Sequence, residues 1–305
     1  MSTYDEQIVR IANRIFTEGK SNEGKPIRAR WDSDGSPAYA TSVLNERMEF
    51  NGECPFPTLR KLGYKTPIWE MLWIWQKKSN VVDDLRKLNG TDKTVWNQWQ
   101  LEDGTIGKAY GWQLRNKKRP VYAGQIDTTQ LDKGLYPGKV IDGKPHLMLD
   151  QVDHLIQSLI FNRYSNQIKT TLWCVEDIPG MALPPCVYET HWQTWDEKLH
   201  LTVNIRSNDM PPGNPFNCFQ YYVLQRMIAQ VVGMEVGTLV FNIDNAHIYN
   251  RHEEQMKEMI QREQFKTPTL WVNPEVKNFY DFTISDFKLL DYESGDPIKF
   301  EDIAV

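Results

Sequence analysis

Cys186 stands behind two prolines in "LPPCVYETHW" (183–192), at the head of a run that alternates like a strand. Three roles are open to such a thiol: core packing, metal ligation or nucleophilic attack. The four cysteines (54, 174, 186, 218) are widely spaced and form no CxxC, so neither a zinc site nor a disulfide framework is indicated. Attack requires the thiolate. A strand predicted beside the one that Cys186 leads ends in Arg206-Ser207, and a guanidinium near a thiol lowers its pKa. A buried structural cysteine with a surface arginine is the plain alternative.

Other residues have types suited to the same chemistry. Glu70 lies inside the apolar run "TPIWEMLWIW". A buried carboxyl is costly, and its pKa drifts upward into the range useful for general acid–base work; the alternative is a solvated helix face. Asn217 closes "GNPFN" directly before a predicted helix. It could be an N-cap. It could instead read a base, because an amide donates to O4 of uracil and accepts from its N3–H, a pattern that neutral cytosine lacks. His247 and Tyr249 in "NAHIYN" are two apart, so they share one side if the segment is extended, and both could grip a sugar hydroxyl.

The elements that must position these groups follow from periodicity. Ile8, Ile11, Ala12, Ile15 and Phe16 mark one helical face over 5–19, which Gly19 ends. Residues 66–78 predict a buried helix, and "WDSDGSPA" (31–38) is turn chemistry. Residues 115–146 are polar with little periodicity and predict a surface insertion. A helix is expected over 147–162 and a strand over 168–175. Residues 187–195 and 198–206 predict a hairpin, with Leu199, Leu201, Val203 and Ile205 in strict alternation. The segment 207–217 reads as a loop, 218–233 as a helix, 236–243 as a strand and about 250–264 as a helix. Strands and helices mix without βαβ alternation, which predicts an α+β fold.

Composition narrows the classes. The chain has 305 residues, 40% hydrophobic, with a formal net charge of −5. That suits one large domain or two small ones, and gives no reason to expect broad adhesion to nucleic acid or membrane. No apolar run reaches membrane-spanning length, "MSTYDEQIVR" has no signal-peptide character, and a cytosolic setting with reduced thiols is expected. The eleven tryptophans could line a core or a flat aromatic ligand site.

Taken together, "IWEMLWIW", "VWNQW", "GKAYGWQL", "MALPPC", "RSNDM", "GNPFN", "HIY" and the terminal "IAV" resemble the thymidylate synthase family over nearly the whole chain apart from 115–146. Val187 after the cysteine is similar to the bacterial and phage branch. The resemblance implies a single α+β catalytic domain over 1–305, a mixed sheet with surrounding helices, and a homodimer formed through the sheet. It also implies deoxyuridylate (dUMP) as substrate, 5,10-methylene-tetrahydrofolate as co-substrate, no metal, and a cytoplasmic setting in a bacterial or phage-infected cell. Cys186 matches the nucleophile that adds to C6 of the pyrimidine, and Glu70 the carboxyl that works with water in proton transfers. Tyr110, Asn217 and Arg206 complete the implied catalytic group. Arg28, Arg206 and Ser207 match phosphate ligands, Asn217 the uracil reader, and His247 with Tyr249 the ribose pair. Trp96, Asn97, Leu183, Asp209, Gly213, Phe216 and Val305 match the folate site.

Departures accompany the matches. Asn166 and Gln167 stand where the family has two adjacent arginines lent across the dimer to the partner's phosphate; Arg163 or Lys169 are the cations at hand to compensate. Asn97, His191, Asn245 and Pro212 also depart from the family pattern. The implied intermediate is an exocyclic methylene on C5 of the pyrimidine. Hydride capture gives thymidylate and dihydrofolate; water capture gives 5-hydroxymethyl-dUMP and tetrahydrofolate. The departures tip the sequence reading slightly toward a dUMP hydroxymethylase, with thymidylate synthase as the alternative and a non-catalytic nucleotide- or RNA-binding paralogue as a remote third.

Overall fold

The computed structural model describes residues 2–115, 119–122, 135–300 and 302–305. Helix α1 (Thr3–Glu18) begins where Ser2 accepts from the Asp5 N–H, with Asp5 and Glu6 in the first turn, where the helix dipole favours negative charge. Its buried stripe is Ile8, Ile11, Ala12 and Ile15, as the spacing predicts. Strands β1 (Lys20–Ser21) and β2 (Ala40–Asn51) follow. Helix α2 (Lys65–Met71) runs on into a π-helical turn, Leu72–Gln76, and α3 (Val82–Asn89) and α4 (Gly111–Arg115) come next.

The predicted surface insertion is in part ordered structure. Strands β3 (Arg119–Tyr122), β4 (Leu135–Ile141) and β5 (Lys144–Leu149) make a small antiparallel sheet in the order β3-β5-β4. The helix expected from 147 begins only after Asp150, whose carboxylate caps α5 (Gln151–Phe161). The apolar pattern of 147–149 belongs to the end of β5. Within 115–146, residues 116–118 and 123–134 lie outside the described residues.

Strand β6 (Lys169–Thr171) is shorter than expected and leads into a 3₁₀ turn, Val175–Gly180. The hairpin β7 (Val187–Trp195) and β8 (Lys198–Ile205) pairs Trp192 with Leu201 and Thr190 with Val203. Strand β9 (Asn208–Asp209) is brief. Helix α6 (Gly213–Val231) starts five residues before the predicted position. Pro215 allows this, because an N–H in the first helical turn has no carbonyl to meet. The cap position is Pro212, so Asn217 is not an N-cap. Strand β10 (Glu235–Tyr249) is nearly twice the expected length, and α7 (Glu253–Met259) is shorter than its prediction. Strands β11 (Thr269–Val272) and β12 (Phe287–Leu290) pair antiparallel near the C-terminus.

The main sheet runs β1-β2-β10-β8-β7-β6, with β9 on β10. It is mixed: β10 pairs β2 antiparallel and β8 parallel. Leu199, Leu201, Val203, Ile205, Leu239, Phe241 and Ile243 are buried at alternate positions, and α1 and α6 pack on the same strands. The result is the α+β arrangement that the irregular element order predicts, with the strand ends of β7, β8 and β10 gathered at one place.

Candidate active site

Cys186 lies one residue before β7 and is partly exposed. Its N–H donates to the Tyr110 hydroxyl at 3.1 Å, and its carbonyl accepts from the Arg206 N–H at 2.9 Å. Arg206 also donates through Nε to the Pro185 carbonyl (2.9 Å) and through Nη2 to the Pro184 carbonyl (2.7 Å). The two prolines thus present only acceptors to a guanidinium, which in turn stacks 5.8 Å from the Trp173 ring. The sequence reading has this arginine lowering the thiol pKa. It does pull that way, as do Tyr110 and Arg28, yet burial outweighs them and holds the thiol above its ordinary value. Attack on a substrate therefore requires the thiol proton to be removed, since the nucleophile is the thiolate.

Tyr110 is held at a left-handed φ of 48°, a conformation uncommon for a bulky residue. The neighbouring Gly111 explains how: a Cβ there would lie 2.2 Å from the Ser79 carbonyl, so the chain after Tyr110 is pressed against that backbone. The Tyr110 ring meets Trp96 edge-on at 5.0 Å, and Trp96 in turn meets Trp73 and Trp99. Glu70, Tyr110, Asn217, Val187, Gln220 and Tyr221 line one small cavity beside the cysteine strand. Burial raises the Glu70 carboxyl to about 7, with Gln220 and Trp96 opposing the shift. A carboxyl poised there can both give and take a proton near neutral pH.

A second, open cleft of about 370 Å³ adjoins the first through Glu70 and is lined by Trp69, Trp96, Leu85, Lys93 and Ile303 among others. Its size is within the range of small-molecule sites, and its aromatic walls suit a flat ring system. Asp209 has a buried Oδ1 with no hydrogen-bond partner. Burial pushes its pKa up to about 8, while Arg60 pulls it down. A buried carboxyl with an unpaired oxygen calls for a polar partner, and a pterin ring offers both N–H groups and ring acceptors for one. The residues present therefore fit the implied folate.

His247 and Tyr249 lie on one side of β10, ring centroids 4.9 Å apart. Burial lowers the His247 pKa to about 4, so the ring is neutral, and its Nδ1 has no partner. Tyr249 is held above its usual pKa first by burial, with Asp209 and Cys186 adding and Arg28 and Arg206 opposing. All four groups act electrostatically on one hydroxyl, so nucleophile, cations and ribose pair lie within reach of one another. Arg28 is exposed, and Ser207 follows Arg206 between β8 and β9. Gly213 opens α6 close to Asp209, where an added Cβ would come within 3.6 Å of the aspartate's own. Phe216 is on the same first turn, and Leu183 packs against the core ahead of the cysteine. Val305 is fastened by its backbone to Arg30, in both directions, at 2.9 and 2.8 Å.

Asn97 is turned toward its own loop. Its side chain accepts from Arg86 (3.0 Å) and Thr94 (3.2 Å) and donates to the Asp92 carbonyl (2.9 Å), so it braces its own turn and does not line the cleft. Lys169 and Arg163, the cations at hand to replace the missing arginine pair, are paired with Glu189 (3.0 Å) and Glu197 (3.2 Å). His191 donates through Nε2 to the Asn166 carbonyl at 3.1 Å. Sequence reading missed Gln220 and Tyr221 as lining residues; their spacing from Asn217, three and four along a helix, was the available signal. Among the described residues no group of three or more His, Cys, Asp or Glu could hold a metal, and no helix is long and apolar enough to cross a membrane.

Residues 6–305 match the family model described as thymidylate synthase. The chain is 48% identical over 302 residues to a thymidylate synthase of Bacillus licheniformis, covering 99% of each. It is 47% identical, again with 99% of each covered, to a thymidylate synthase of Bacillus phage phi3T. Among solved structures it is similar to the thermostable thymidylate synthase A from Bacillus subtilis, with a TM-score of 0.85, 47% identity and 99% of both chains covered.

Proposed function

The chain belongs to the thymidylate synthase family, and from that we propose that it converts dUMP and 5,10-methylene-tetrahydrofolate to thymidylate and dihydrofolate. Full-length identity of 47–48% to thymidylate synthases of bacterial and phage origin is the observation that carries this reading. Cys186 adds to C6, which makes C5 a carbon nucleophile toward the one-carbon unit, and splits one hard step into easier ones. Glu70, near neutral in pKa, handles the proton traffic at the base. Asn217 reads the uracil edge, Arg206 with Arg28 and Ser207 takes the phosphate, and His247 with Tyr249 takes the ribose. Asp209, Trp96, Leu183, Gly213, Phe216 and Val305 form the folate side. The working unit in this reading is a homodimer in the cytoplasm.

The sequence-based lean toward a hydroxymethylase is not supported. Of the departures behind it, Asn97 braces its own turn, His191 holds Asn166, Asn245 is opposite Leu44 in the sheet, and Pro212 caps α6. The terminal strap of Ile303 and Val305 favours exclusion of water from the folate side. Incubation with dUMP and the folate, followed by mass analysis, is expected to yield thymidylate and dihydrofolate in equal amounts. Hydroxymethyl-dUMP with tetrahydrofolate would overturn the reading.

A further inference from the structure

Asn217 is an amide, and an amide is nearly symmetrical in shape. Turned over about its terminal bond, it presents acceptor for donor and donor for acceptor. One orientation complements O4 and N3–H of uracil; the other complements the N4 amino group and N3 of neutral cytosine. Discrimination therefore requires something that fixes the orientation. The structure contains such a device. The Asn217 Oδ1 accepts from the Asn208 Nδ2 at 2.9 Å. The Asn208 Oδ1 accepts from the Asn214 Nδ2 at 2.6 Å. The Asn214 Oδ1 accepts from the Tyr4 hydroxyl at 2.9 Å and the Cys218 thiol at 3.6 Å.

The polarity of this relay has an anchor. The Asn214 Nδ2 also faces the Met48 sulfur at 3.4 Å, and a thioether can only accept. That places the Asn214 amino group, which places the Asn208 oxygen, which turns the Asn208 amino group onto Asn217. Met48, Asn214 and Cys218 are fully buried, and Asn208 and Tyr4 are 2% exposed, so water does not compete for these bonds. The Asn217 oxygen keeps a second lone pair, and its amino group remains for the base.

We propose that Asn208 is a positioning residue that sets the choice of uracil over cytosine by fixing the Asn217 amide; this rests on the dUMP reading above. Asn208→Asp tests it. The carboxylate is isosteric and still accepts from Asn214, but it has no donor for the Asn217 oxygen. It would instead accept from the Asn217 amino group and so turn that amide over. The readout is the ratio of kcat/KM for dUMP to that for dCMP. It is expected to fall by about 100-fold in Asn208→Asp and by about 10-fold in Asn208→Ala, where the amide is merely released. The KM for the folate is expected to stay within about threefold, which a general loosening of the site would not allow. Met48→Leu, close in volume, removes the anchor without touching the asparagines, and should lower the ratio in the same direction. It keeps the test decisive if the Asn208 variants do not fold. An unchanged ratio in folded variants would overturn the proposal alone; a wild-type protein inert toward dUMP would overturn the functional reading beneath it.

Discussion

Glu70 shows what the site costs at the level of single residues. Its carboxyl has a pKa of about 7 in the fold against 4.5 for a free carboxyl, and burial is the main cause. Between those two values the folded state binds more protons than the unfolded chain, so stability falls as pH rises from about 4.5 to 7 and is flat above. That gap is worth on the order of 3 kcal/mol, an upper figure for a group that touches a water-accessible cavity. Glu70→Gln keeps the shape and removes the titration. It is expected to raise Tm by several degrees at pH 8, with no gain at pH 4, while kcat falls by about 10²–10⁴-fold. Calorimetry across that pH range, with steady-state kinetics at pH 7.5, checks both halves; equal Tm gains at both pH values would refute the burial account. Asp209 carries the same sign, its pKa raised to about 8 by burial.

At the level of elements, the C-terminal tail depends on one arginine placed just after β10. Arg251 donates through Nη1 to Asp302 (2.7 Å) and Ser33 (3.2 Å), and through Nη2 to Asp34 (2.6 Å) and Ser36 (2.9 Å). Its guanidinium lies 4.8 Å from the Trp31 ring. It thereby ties the loop after Arg30 to the strap that carries Ile303 onto the cleft. Arg251→Ala is expected to raise the KM for the folate about five- to tenfold while the KM for dUMP moves far less; Lys should restore little, because it cannot fork between two carboxylates. Equal changes in both constants would show a general destabilisation. Nothing in the sequence marks Arg251, since Asp302 lies 51 positions along and Ser33, Asp34 and Ser36 lie 215 to 218 positions back. Local patterning was legible: α1 and the β7–β8 hairpin follow from period 3.6 and period 2. What was not legible depended on distant partners. The strands β3 to β5 carry little alternation and, among the described residues, pair only with each other. The early start of α6 was hidden by a proline that the first turn tolerates. The types of the site residues were readable, but the upward shift at Cys186 was not, because burial is a property of the whole fold.

For the whole molecule, the main sheet has two faces and one set of helices. Leu239, Phe241 and Ile243 of β10 are buried on the side of α1 and α6, whereas Val240 is half-buried and Asn242 and Asp244 are exposed on the other. The Asn242 amino group spends one hydrogen on Asn204 of β8 (3.0 Å), so this second face is polar but not idle. A two-layer domain leaves such a face to water or to a partner, and the proposed homodimer supplies the partner. The phosphate site gives the pairing a consequence, because Lys169 and Arg163 are already held by Glu189 and Glu197 of their own chain. Light scattering is expected to give twice the chain mass of 35.7 kDa. Val240→Arg, which puts an unpaired charge at the middle of the face, is expected to give monomers that stay folded by circular dichroism. If the partner completes the phosphate site, those monomers will bind dUMP at least tenfold more weakly, yet bind the unphosphorylated deoxyuridine no worse than the dimer does. A folded monomer with undiminished dUMP affinity would place the whole phosphate site within one chain, on Arg206, Arg28 and Ser207.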